Sequence, residues 1–114
     1  MVIENAIIES TTLDISDRGC LQGWIMLKME NGNQGFGGLA LYLPKSYKYH
    51  KVLSTAGHWI FRVCEIAGAP SWERLKGKTI RIAKDDHFGS IKGIGHITDN
   101  DWFYPTTDFQ DINQ

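Results

Sequence analysis

Residues 31–41 read NGNQGFGGLAL, four glycines in eleven positions, set between segments that alternate like β-strands. Glycine inside a strand weakens it, because the chain loses more freedom on ordering and brings no side chain to pack. Asn31-Gly32 is nonetheless the dipeptide that best tolerates the positive φ angles of a tight turn, so the strand after it is predicted to pair antiparallel with the strand before. On the returning strand Leu39, Leu41 and Leu43 form one face and Phe36, Ala40 and Tyr42 the other, until Pro44 ends the pairing.

Upstream of this hairpin, residues 20–30 alternate Leu21, Ile25, Leu27 and Met29 with Gln22, Trp24, Met26 and Lys28, which predicts its first strand. An earlier strand, with a bend near Ser10, is expected over residues 2–13, where Ile3, Ile7, Ile8 and Leu13 lie among polar residues; Asp17-Arg18-Gly19 then turns the chain. Downstream, KSYKYHK over residues 45–51 reads as an exposed connection. Residues 55–67 carry Ala56, Trp59, Ile60, Val63, Cys64 and Ala67 at helical spacing, with Ser54 or Thr55 as N-cap and Gly68 and Pro70 as the stop. Ser71 is expected to cap the short turn SWERL. A second hairpin follows, with strands over residues 78–84 and 91–97 and a turn-rich loop over 85–90, and then an aromatic tail from Trp102 to Pro105. The pattern predicts a single α+β domain, an antiparallel sheet of about five strands with one main helix packed on one face.

The 114 residues suffice for one core, and 42% hydrophobic with 22% charged residues excludes a disordered chain. A formal net charge of −1 removes the broad attraction that drives general nucleic-acid binding. No apolar run is long enough to span a bilayer and the N-terminus does not read as a signal peptide, so a cytoplasmic location without membrane attachment is expected. Cys20 and Cys64, far apart and in apolar surroundings, read as buried thiols without a catalytic role.

The segment NQGFGG lacks the Lys-Ser/Thr ending of a P-loop and does not complete the spaced glycines of a dinucleotide fingerprint. Its first expectation is a bulged strand whose glycines let another backbone or an aromatic ring lie close. The second is a groove in which a ligand meets the bare main chain at Gly35, Gly37 and Gly38, with Phe36 as an apolar contact. Helix starts favour anions, and Lys48 and Lys51 precede this one. Lys51, Ser54, Thr55 and Gly57, together with the glycine strand, would then hold an anionic nucleotide-like molecule. Tyr47, Lys48 and Tyr49 form the exposed aromatic and basic mixture that can meet a protein surface or stack on a base.

No metal site is expected: His50, His58, His87 and His96 are scattered, and the nearest cluster, His96 with Asp99 and Asp101, reads as a strand end followed by an acidic turn. The sequence calls for no cofactor. Asp85-Asp86-His87 and Asp99-Asn100-Asp101 are the groups a small hydrolase would use, but turns explain both, and no residue is assigned a catalytic role.

IENAIIESTTL, NQGFGG, GHWIFRVCEIAG with SWERLKGKTIR, and IGHI followed by WFYP together resemble a family of small proteins encoded by bacteriophages and prophages. The resemblance spans nearly the whole chain. It implies a phage-like setting, in which small proteins inhibit or divert host systems. A non-enzymatic binding protein is therefore expected, one that blocks or sequesters a host component such as a defence factor. The alternatives are a binder of an anionic nucleotide-like ligand and a small hydrolase.

Overall fold

The computed structural model describes residues 1–15, 17, 19–38, 41 and 55–109. Its elements are β1 (Val2–Ile15), β2 (Leu21–Met29), β3 (Gly32–Gly37), α1 (Thr55–Ala67), β4 (Thr79–Lys84), β5 (Ile91–Gly95), β6 (Trp102–Phe103) and a short helix α2 (Pro105–Asp108), with a single 3-10 turn at Trp72–Arg74. The strands form one sheet in the order β3-β2-β1-β4-β5-β6, every neighbouring pair antiparallel. Two three-stranded meanders are thus joined by β1–β4 pairing, with α1 as the link between them. The fold class is α+β as the sequence predicts, with six strands among the described residues where about five were expected.

The hairpin that decides the fold is present, but its turn falls one residue earlier than expected. Met29 pairs with Gly32, so Glu30 and Asn31 make the loop, and the positive φ belongs to Gly32 alone. β3 then stops at Gly37 instead of running to Pro44. Gly37 and Gly38 both have positive φ, and the bent chain returns to the sheet through Gly38 N–H to Gly23 O (2.8 Å) and Leu41 N–H to Leu21 O (2.9 Å). The bend resets the alternation, so Phe36 and Leu41, expected on opposite faces, are both in the core. Residues 39, 40, 42, 43 and 44 lie outside the described residues.

β1 carries the bend expected near Ser10. Ile8 pairs with Leu27 and Ser10 with Met26, leaving Glu9 as the extra residue of a bulge. The strand also runs further than expected, with Ile15 opposite Leu21.

α1 packs its apolar face on the sheet as its periodicity predicts: Trp59 and Val63 are buried, with Ile66, which the spacing does not single out, beside Ile8, Ile25, Leu27, Leu41, Ile80 and Ile82 in one cluster. Its end is a Schellman arrangement, Gly68 N–H to Glu65 O (3.1 Å) and Ala69 N–H to Cys64 O (2.9 Å), with Gly68 at φ 66°. Ser71 is extended and makes no side-chain cap bond to the 3-10 turn, contrary to expectation; its carbonyl accepts from Arg74 N–H instead. β5 ends at Gly95, earlier than expected, because His96 N–H turns to Asp101 O (2.9 Å) and starts the return to β6. Cys20 and Cys64 are half-buried; burial, and secondarily Glu73, push the Cys64 thiol up from its ordinary range.

Candidate ligand-binding cleft

The sheet bends until its first strand reaches its fifth. Gln34 on β3 accepts a bond from Ile91 N–H through Oε1 (2.6 Å), and its Nε2 donates to Gly89 O at a longer 3.4 Å. This one amide closes the floor between the β2–β3 turn and the loop joining β4 to β5. Above it lies a cleft of about 360 Å3, lined by Glu4, Met29, Asn31, Gly32, Asn33, Gln34, Lys84, His87 and Phe88. That volume is at the lower end of the range typical of small-molecule sites.

Lys84 is 95% buried at the cleft wall, where its Nζ lies 2.6 Å from Glu4 Oε2 and donates to His87 O (3.2 Å). The Glu4 oxygen is not aligned as a hydrogen-bond acceptor, so the contact is one of charge on charge. The pair cancels, and what the cleft presents is three side-chain amides, from Asn31, Asn33 and Gln34, beside the apolar surfaces of Met29 and Phe88. The loop itself is fastened by Asp86, whose Oδ1 accepts from Phe88 N–H (2.9 Å) and whose carbonyl accepts from Gly89 N–H (3.2 Å). Its product is Phe88, a ring held by a closed turn yet 100% exposed at the rim of the cleft.

The glycine strand serves another purpose. A Cβ on Gly35 would meet the Trp24 ring at 2.9 Å and one on Gly38 would meet it at 2.2 Å, so that indole lies on the bare backbone as the packing expectation requires. Gly37 has no room either, since a Cβ there would stand 2.1 Å from Gly23 O. Phe36 is 5% exposed and points into the core, stacked 6.5 Å from Trp59 and edge-on 6.3 Å from Phe103, so it is not the apolar wall of a groove. Thr55 begins α1 and Gly57 is exposed in its first turn; Lys51, Ser54, Tyr47, Lys48 and Tyr49 lie outside the described residues.

The other polar clusters are engaged in holding elements together. Arg62 on α1 donates to Asp101 Oδ1 (2.9 Å) and to Trp102 O (2.8 Å), and also pairs with Glu65. Burial by itself would lower its pKa, but the bonds to Asp101 and Glu65 outweigh that and raise it further. His58 Nε2 lies 2.7 Å from Asp108 Oδ2, fastening α2 to α1. Arg81 donates to His96 O and Asp99 O and lies 4.9 Å from the Trp102 ring centre. His96 Nδ1 accepts from Thr98 N–H and Asp99 N–H. Among the described residues no group of three or more His, Cys, Asp or Glu is placed to hold a metal, and no helix is long and apolar enough to cross a membrane.

The cleft escaped the sequence reading because its residues come from three segments, Glu4, 29–34 and 84–88, separated by 25 and 50 positions. One signal was available: Phe88 is the lone apolar residue of the turn-rich stretch 85–90. No protein-family model and no curated protein matches this chain.

Proposed function

We propose that the chain is a non-enzymatic binding protein of the bacteriophage type its motifs resemble, acting in the host cytoplasm by sequestering a host component that serves defence. The occupant that fits the cleft best is a nucleotide-like small molecule. One observation carries this reading: a fully exposed phenyl ring, on a loop whose backbone is fastened by a closed turn, borders a cleft of about 360 Å3 whose mixed lining includes the side-chain amides of Asn31, Asn33 and Gln34. A nucleobase offers a flat face for Phe88 and an edge of donors and acceptors for Asn31 and for the bonding capacity that Asn33 and Gln34 keep beyond their bonds to Glu9, Ile91 and Gly89. Because Glu4 offsets Lys84, the base contributes more to recognition than the phosphate does.

A thermal-shift and calorimetric screen of mono-, di- and cyclic nucleotides tests the reading, since a tight binder raises the melting temperature by mass action. Stacking on an aromatic ring contributes roughly 1–3 kcal/mol, so Phe88→Ala should weaken binding by roughly tenfold to a hundredfold and leave the melting temperature of the free protein unchanged. No stabilisation by any nucleotide at millimolar concentration would remove this occupant.

A second reading, blockade of a host protein, is favoured by Ile3, Ile7 and Met26, which are 53%, 45% and 37% exposed on the sheet face away from α1. It predicts that Ile7→Lys abolishes function in the host whereas Phe88→Ala does not.

A further inference from the structure

The half of β1 beyond Ile8 has an edge that nothing among the described residues covers. Ile8 N–H donates to Lys78 O (2.9 Å) and Gly77 N–H to Ile8 O (2.7 Å), and there the pairing on that side stops. On its other side β1 goes on pairing with β2 as far as Ile15. In a strand of given direction, residues that share a face turn their N–H and C=O to the same side. Thr11, Leu13 and Ile15 lie opposite Ile25, Gly23 and Leu21, on the face where Ile25 is buried and Gly23 meets Trp59. That is the face of Ile8, so their amides and carbonyls point along the open edge.

Native sheets guard such edges with Lys, Pro, bulges, cover or short length. The sheet's two outer strands are guarded in these ways: β3 ends in a glycine bend and is tied over by Gln34, and β6 is two residues long. Residues 10–15, STTLDI, hold no Lys or Pro and are covered by nothing among the described residues; the bulge at Glu9 lies just before them, and Leu13 and Ile15 are 40% and 65% exposed there.

We propose that this edge pairs with the same edge of a second copy of the chain, antiparallel about a two-fold axis at Thr12. Thr11 then faces Leu13 of the second copy, the pair exchanging backbone bonds in both directions, while Ser10 faces Asp14 and Thr12 faces its own counterpart. No like charges meet. The next register, centred on Leu13, would set Glu9 against Asp17 and is disfavoured on that ground. Trp24, opposite Thr12 on β2, lies over Gly35 and Gly38 of the neighbouring strand and so leaves the axis clear. Leu13 and Ile15 of both copies come together on one face.

Sedimentation of the full chain without ligand, together with amide hydrogen exchange, tests this. Thr12 is exposed, so Thr12→Lys and Thr12→Glu should fold normally. The parent should be a dimer with protected Thr11 and Leu13 amides. Each variant alone should associate at least about tenfold more weakly and lose that protection, because like charges would face across the axis. An equimolar mixture of the two should recover both. A monomeric parent, a dimer unmoved by either substitution, or a mixture no tighter than its components would each overturn the proposal.

Discussion

Trp59 is fully buried, and a Cβ on Gly23 would stand only 2.5 Å from its ring. The same contact recurs with Trp24 on Gly35 and Gly38, Tyr104 on Gly93 and Trp102 on Gly95. The glycines that weaken these strands individually let flat rings lie against the main chain, and the ring area covered offsets the missing side chains. Trp59→Ala should therefore lower stability by about 3–5 kcal/mol in chemical denaturation. A variant that melts like the parent would mean the helix face is assigned wrongly. Gly95→Ala should cost less, since the Trp102 ring, at 2.6 Å, belongs to a two-residue edge strand and can swing away; the loss should appear in near-ultraviolet circular dichroism before it appears in the melting temperature. Cys64 supplies a pH dependence. Its raised pKa means that the unfolded chain loses the thiol proton first, so this contribution to stability is complete below the ordinary thiol range and lost as pH rises through the folded value. Cys64→Ala should flatten that alkaline fall.

At the level of elements, Arg62 joins α1 to the β5–β6 turn through Asp101 and the Trp102 carbonyl, with its guanidinium 5.8 Å from the Phe103 ring centre. Bonds to a charged group contribute roughly 1.5–3 kcal/mol, so Arg62→Ala should destabilise by about that much. Arg62→Lys should recover little of it, because an ammonium cannot span both acceptors as the planar fork does. Recovery of full stability by lysine, measured by urea unfolding, would show that only the charge matters. α1 and the hairpins were legible in the sequence because their periods of 3.6 and 2 are local and their stop signals are glycines and a proline. β6 was not: two residues hold no period, and Trp102 and Phe103 become a strand only by pairing with Gly95 and Ile94. The β3 faces were misread for a related reason, since two glycines of positive φ cancel the alternation on which a face assignment rests.

Across the whole molecule, the bend that carries β3 onto β5 is what makes the cleft, and Gln34 is its fastening. Gln34→Ala should lower stability by about 1–2 kcal/mol, leave Ile91 N–H unpaired, and weaken any nucleotide bound in the cleft more than it weakens the fold. Parallel thermal-shift curves with and without ligand separate the two effects. None of this was legible along the chain, where Gln34 is one polar residue in a glycine-rich strand and Phe88 one aromatic in a loop. Only the curvature of the sheet brings them together.

The bulge at Glu9 also constrains how the length of this chain can change. Strand alternation has a period of two, so the single extra residue returns Thr11, Leu13 and Ile15 to the face of Ile8. Deleting Glu9 would leave Ile8, Ser10 and Thr11 opposite Leu27, Met26 and Ile25 in regular alternation, with Leu13 still on the face of Ile8, whereas losing two residues between Ile8 and Thr11 would turn Leu13 to the other face and Thr12 to the core. Related chains should therefore differ in length at the β1–β2 turn, and within β1 by gain or loss of the single bulge residue. In a deletion scan read by soluble expression, loss of Glu9 alone should survive where two-residue losses over residues 9–11 fail.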